Sequence, residues 1–210
     1  YVSSEVRKRI ERVAAELGYV PNGTAKALAT QRTNTIGVII PTLENSNFAI
    51  MAESVQRSIK LKGYQILVSS SGYSEDQEWE QIRSLILHGI DGLILVGAKR
   101  SEEVTKYLHD RRMPYVITWT LANGGIPSVG FDNVAAAHRI VSHLLDLGHT
   151  QIGVIAGLTA HNDRAADRLL GVRAALETRG LKVPSEMLLE RPYRIIEGQI
   201  ALRALLELRP

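Results

Sequence analysis

From Ile36 onward, strand and helix signals alternate, and this alternation predicts an α/β protein built on doubly wound parallel sheets. Two further observations support that class. Short, unbroken apolar runs such as Ile36-Gly37-Val38-Ile39-Ile40 suit strands covered on both faces, and the helical stripes between them stop at glycines. With 210 residues and 45% hydrophobic composition, the chain can bury a sizeable core and is too long for one minimal domain.

The opening segment predicts a helix. Ser3 is a candidate N-cap, Glu5 suits the first turn, and Val6, Ile10, Val13, Ala14 and Leu17 form one stripe that Gly18 terminates. So short a stripe has little of its own chain to bury against. Pro21 then breaks the helix, and Asn22 can cap a marginal stretch from Gly23 to Ala29 whose only large apolar side chain is Leu28. Residues 30–35 are all polar and read as a linker. The repeating units follow: strand Ile36–Ile40, helix Asn47–Lys62, strand Gln65–Val68, and a helix marked by Trp79, Ile82, Leu85 and Ile86. Next come strand Leu93–Val96, a helix marked by Val104–Leu108, strand Tyr115–Ile117, and a short fifth strand Pro127–Phe131. Helix Ala135–Leu147, a strand over Gln151–Ile155, helix Arg164–Thr178 and a last helix over Ile196–Leu208 complete the pattern. Parallel sheets bind ligands beyond the carboxyl ends of their strands. The loops to watch are therefore Pro41–Asn47, Ser69–Ser74, Gly97–Ser101, Trp119–Gly125 and Gly157–Asp163.

All of the net charge of +3 lies in residues 1–34, which hold six Lys/Arg against three Glu. A basic arm on a neutral body suits a polyanion; a solvated helix face is the plain alternative. The absence of cysteine excludes disulfides and thiolate chemistry and fits a reducing compartment, so a cytoplasmic location is expected. No apolar run is long enough to span a membrane, and no signal peptide is visible in a chain that opens at Tyr1. Neither a glycine-rich phosphate loop nor a nucleophile elbow is present, which disfavours a nucleotide enzyme or a serine hydrolase. The six histidines form no metal-binding spacing, and no metal or cofactor is implied.

Several ordered blocks resemble the LacI/GalR family of repressors. Val2–Arg7 and Ala14–Asn22 resemble that family's third headpiece helix and its exit; Ala25–Ala29 resemble its hinge helix; Ile36–Pro41 resemble the first strand of its sensor core. Asp91–Leu95, Val129–Asn133, Leu147–Gly153 and Arg168–Gly171 follow in the same order. Ile40–Leu43 and Val129–Asn133 are most similar to the gluconate-repressor branch. The resemblance implies a two-lobed, periplasmic-binding-protein-like sensor preceded by a hinge helix and the last helix of a helix-turn-helix headpiece. It places the headpiece remainder at residues 1–20, the hinge and linker at 21–35, the first lobe at 36–131 and an incomplete second lobe at 132–210. It also implies that the helix-turn-helix proper precedes Tyr1.

Carried over residue by residue, the resemblance assigns DNA contact to Asn22, Ala25, Lys26, Leu28 and Ala29, with Leu28 as a minor-groove wedge. It assigns a sugar or sugar-acid effector to Phe48, Trp119, Phe131, Asp132, Asn162, Arg164 and Arg168. For Arg168 the alternative is a surface ion pair with Asp167 or Asp132; for Phe48 it is core packing. Trp119 stands where many sugar-binding members carry Asp, which leaves ring stacking and a core role both open. Helix Asn47–Lys62, with extra apolar residues at Ala49 and Ile50, is placed at a homodimer interface. Operator DNA, an effector and a second copy are the expected partners of a non-enzymatic repressor. An exported sugar-binding protein would share the two lobes, but it has no use for the basic arm and hinge.

Overall fold

A computed structural model describes residues 2–19 and 29–208. The order is α1 (Ser4–Glu16), β1 (Thr35–Ile40), α2 (Ser46–Lys60), β2 (Gln65–Ser70), α3 (Glu75–Leu87), β3 (Gly92–Val96), α4 (Glu102–Asp110), β4 (Tyr115–Thr118), β5 (Ser128–Val129), α5 (Asn133–Asp146), β6 (Val154–Gly157), α6 (Asp163–Glu177), β7 (Leu188–Arg191) and α7 (Ile195–Glu207). Strands β1–β5 make one parallel sheet in the order β2-β1-β3-β4-β5, and β6 pairs with β7 in a second parallel sheet.

The alternation of side chains along β1 builds two cores at once. Val38 and Ile40 face Phe48 of α2 and Val96, while Ile39 faces the other way, onto Leu93, Leu95, Ile82, Leu85, Val104 and Leu108. Helices therefore cover both faces of the larger sheet, as its continuous apolar strands require. The polar segment ahead of β1 is anchored at its end. The Asp91 carboxylate accepts the backbone N–H groups of Thr33 (3.0 Å) and Asn34 (2.9 Å). Thr35, which its polarity assigns to the linker, is the first residue of β1 and is buried.

Helix α1 forms as expected: Ser3 caps it by accepting from the Val6 N–H, and Gly18 ends it with φ +64°. Its stripe of Val6, Ile10, Val13 and Leu17 stays exposed. The hinge residues Asn22, Ala25, Lys26 and Leu28 lie outside the described residues; Ala29 is helical and exposed.

Three strand expectations need correction. The fifth strand is limited to Ser128–Val129, because Pro127 and Val129 offer carbonyls to Ile117 and Trp119 before the chain crosses Thr120 at Gly130. Strand β6 starts at Val154 rather than Gln151; pairing begins only where Leu188 lies opposite, and Ile152 packs instead against the α5–α6 core. Strand β7 has no counterpart in the sequence pattern, since Leu188-Leu189-Glu190-Arg191 has only two apolar residues.

Helices α5 and α6 pack through Val141, Leu145, Ala175 and Leu176. Gly171 permits their close approach, because a Cβ there would lie 2.2 Å from the Val134 carbonyl oxygen and 3.0 Å from the Ala137 Cβ. Gly171→Ala would gain about 1 kcal/mol in helix propensity but overpack this contact by about 1–3 kcal/mol. A net loss of stability is expected, seen as a lower urea midpoint; a variant more stable than the parent would refute the packing argument.

Candidate functional site

The loops after the parallel strands of both sheets face one another, and a cavity of about 320 Å³ lies between them. Six of the seven residues expected to hold an effector line it: Phe48, Trp119, Phe131, Asn162, Arg164 and Arg168. Asp132 does not. Its carboxylate caps α5, with Oδ1 accepting from the Ala135 N–H at 2.9 Å.

Arg168 projects from α6 without an acidic partner. Its Nη1 donates to Asn133 Oδ1 at 2.7 Å and its Nη2 to the Tyr193 hydroxyl at 2.6 Å. The alternative of an ion pair with Asp167 or Asp132 is therefore not what this geometry adopts. Asn133 is itself buried, and its Nδ2 donates to the backbone carbonyls of Trp119 (3.0 Å) and Phe131 (3.4 Å). Arg164 is also buried, with Nη1 2.6 Å from Asp163 Oδ1. Burial disfavours its charge, and Asp163 is the largest opposing influence. Asn162 is buried as well; its side chain caps α6 by accepting from the Ala165 N–H.

The aromatic wall combines two roles. Phe48 belongs to the core formed with Val38, Ile40 and Val96, and it also lines the cavity. Trp119 meets it edge to face at 5.4 Å and donates its indole N–H to Met51 Sδ at 3.1 Å. The Trp119 backbone sits at φ +70°, a conformation held by the Asn133 hydrogen bond to its carbonyl. Across the cavity, Tyr73 and Tyr193 stack at 5.8 Å. The ring of Tyr193 fits because residue 157 is glycine; a Cβ there would lie 2.2 Å from it. Desolvation first, and then Tyr193, pushes the Tyr73 phenol up to about 12, although Arg164 and Arg168 pull it down.

Sequence reasoning missed Asn45, Asn47, Tyr73, Asn133 and Tyr193. The first three lie in two of the loops singled out above, and Asn133 closes one of the family-like blocks. Tyr193 carried no signal, because it follows β7, which has no sequence pattern of its own.

Contacts between the two sheet units flank the cavity. Asp163 Oδ2 accepts the backbone N–H groups of Ala98 (2.6 Å) and Lys99 (3.0 Å). His161 Nδ1 lies 2.9 Å from Glu75 Oε1, and Arg194 Nε lies 3.2 Å from Glu44 Oε2. The hydrogen bond from His161 holds the Glu75 carboxyl below its usual range. Among the described residues no group of His, Asp or Glu is arranged to hold a metal, and no helix is long and apolar enough to cross a membrane.

Catabolite control protein A of Priestia megaterium is 30% identical over 207 residues, covering 98% of this chain and 62% of that protein. The HTH-type transcriptional regulator GntR of Pseudomonas aeruginosa is also 30% identical, over 94% of this chain and 57% of its own length. The crystal structure of a LacI-family regulator from Silicibacter pomeroyi superposes with a TM-score of 0.86 at 26% identity, covering 99% of this chain and 62% of that one. The chain thus spans about three fifths of the length of the relatives it matches. The profile for periplasmic binding proteins and the sugar binding domain of the LacI family matches residues 33–210, and the chain belongs to that family.

Proposed function

We propose that this chain is part of a cytoplasmic, homodimeric, non-enzymatic transcription repressor whose operator affinity is set by a sugar or sugar acid bound between two lobes. The lobes are residues 36–131 and 132–210, with the headpiece remainder at 1–20 and the hinge at 21–35. The observation that carries this reading is the cavity between the two sheets, where Arg168, Asn133 and five aromatic rings converge. Aromatic faces suit the apolar side of a sugar ring, and the planar fork of Arg168 suits paired oxygens on its rim. The relatives are transcription regulators rather than exported receptors, which favours this reading over a periplasmic-type binding protein.

An effector can shift DNA affinity only by binding one lobe arrangement better than another. A thermal-shift screen of the complete protein against sugars, sugar acids and nucleobases should yield a stabilising sugar or sugar acid. A hit confined to nucleobases would overturn the proposed ligand class. With that effector, Arg168→Ala should lose about 1.5–3 kcal/mol of binding, the range for a hydrogen bond to a charged group, while operator binding without effector survives. A folded Arg168→Ala protein responding at unchanged effector concentrations would remove Arg168 from the site.

The hinge is tested separately. Leu28→Ala in the complete protein should weaken operator binding severely and leave effector affinity nearly unchanged; operator affinity equal to the parent's would rule out the wedge. For assembly, Ile50 is exposed on α2, as a residue reserved for a partner copy would be. Sedimentation at micromolar concentration should show a dimer; a monomer would count against the placement of α2 at its interface.

A further inference from the structure

The first sheet unit is almost neutral, yet its charges are sorted by height. Residues 36–131 hold nine Lys/Arg and ten Asp/Glu. Six of the carboxylates, those of Glu44, Glu75, Asp76, Glu78, Glu102 and Glu103, lie in the loops and first helical turns beyond the carboxyl ends of the strands, where the cations are Lys99 and Arg100, the latter paired with Glu78. Helices α2 and α4 return to the opposite, N-terminal edge of the sheet, and they deliver Arg57, Lys60, Lys62, Arg111 and Arg112 there. All five are exposed. Arg32 joins them from the segment that leads into β1, which lies between β2 and β3 on the same edge.

The carboxylates on this basic edge are already engaged. Both oxygens of Asp91 accept backbone N–H groups, from Thr33 and Asn34, and Asp110 pairs with Lys106 at 2.5 Å. By contrast, the side chains of Arg32, Lys60, Lys62 and Arg112 form no ion pair among the described residues. Part of this pattern complements helix dipoles, since Arg57 and Lys60 occupy the last turn of α2. Lys62 and Arg112 follow the C-caps of α2 and α4 and share in that effect, yet their side chains stay exposed and outside any ion pair of the described residues. Four neighbouring strands at about 4.8 Å spacing make an edge roughly 15 Å wide. Duplex DNA presents one phosphate charge per about 1.7 Å of axis, so an edge of that width faces several phosphates.

We propose that the N-terminal edge of the five-stranded sheet is a second DNA-contacting surface, in which Arg32, Lys62 and Arg112 face backbone phosphates beside the hinge. The surface reads no bases; it adds sequence-independent, salt-sensitive affinity and orients the sensor over the duplex. The proposal rests on the DNA-binding reading above.

The test measures binding of the complete protein to a mixed-sequence DNA duplex across a salt series. Removing one cation that neutralises a phosphate makes the slope of log K against log salt shallower by about 0.9. The triple variant Arg32→Gln/Lys62→Gln/Arg112→Gln should bind at least about tenfold more weakly at moderate salt, with a slope shallower by about two to three. Its thermal stability should match the parent's. The control triple Arg139→Gln/Arg173→Gln/Lys182→Gln removes three exposed cations of the second sheet unit and should leave the slope in place. An unchanged slope in the first triple, with or without a lower melting temperature, overturns the proposal. So does an equal weakening in the control, which would reflect net charge alone. If the unmodified protein binds no DNA, the regulator reading falls and takes this surface with it; binding with an unchanged slope removes the surface only.

Discussion

One buried amide, Asn133, joins the parts that matter. Its Nδ2 holds the carbonyls of Trp119 and Phe131, which bracket β5, the last strand of the first sheet, and its Oδ1 receives Arg168 from α6. Removing this amide would leave two carbonyls and part of a guanidinium short of partners in a largely dry setting, where each unsatisfied group costs about 1–3 kcal/mol. The positive-φ turn at Trp119 and the aim of Arg168 thus depend on the same side chain. Two hydrogen bonds in series link α6 to the end of β4.

Close packing makes that linkage stiff. Gly171 brings α6 against the first turn of α5, so Arg168 and Asn133 start from backbones held at fixed separation. The aromatic wall is stiff for a different reason: Phe48 is a core residue of the first sheet, and Trp119 leans on it. A surface made of core side chains has little rotamer freedom to lose when a ligand arrives.

The larger sheet is legible in the sequence because its inner strands β1 and β3 are buried on both faces and leave unbroken apolar runs. The smaller sheet is not. Strand β7 is half-buried and ends in Glu190-Arg191, so it carries neither a continuous run nor a clean alternation. The cavity shows the same divide. Arg168 and Phe48 can be found through blocks with recognisable residue types at recognisable offsets. Tyr193 cannot, because it reaches the cavity through a partner strand and through space cleared by Gly157, and neither leaves a local pattern. Asp132 shows how one residue type can carry two signals: a carboxylate just before a helix serves an N-cap as readily as a ligand, and its Oδ1 caps α5.

The guanidinium groups of the cavity are held in place by neighbouring side chains. Arg168 is bonded to Asn133 and to Tyr193, and Arg164 to Asp163. A guanidinium carries five N–H groups, so each keeps donors beyond these bonds for an incoming oxygen. The two planar forks thus form a pre-set template, their directions fixed by neutral and acidic neighbours and their remaining N–H groups open to oxygen.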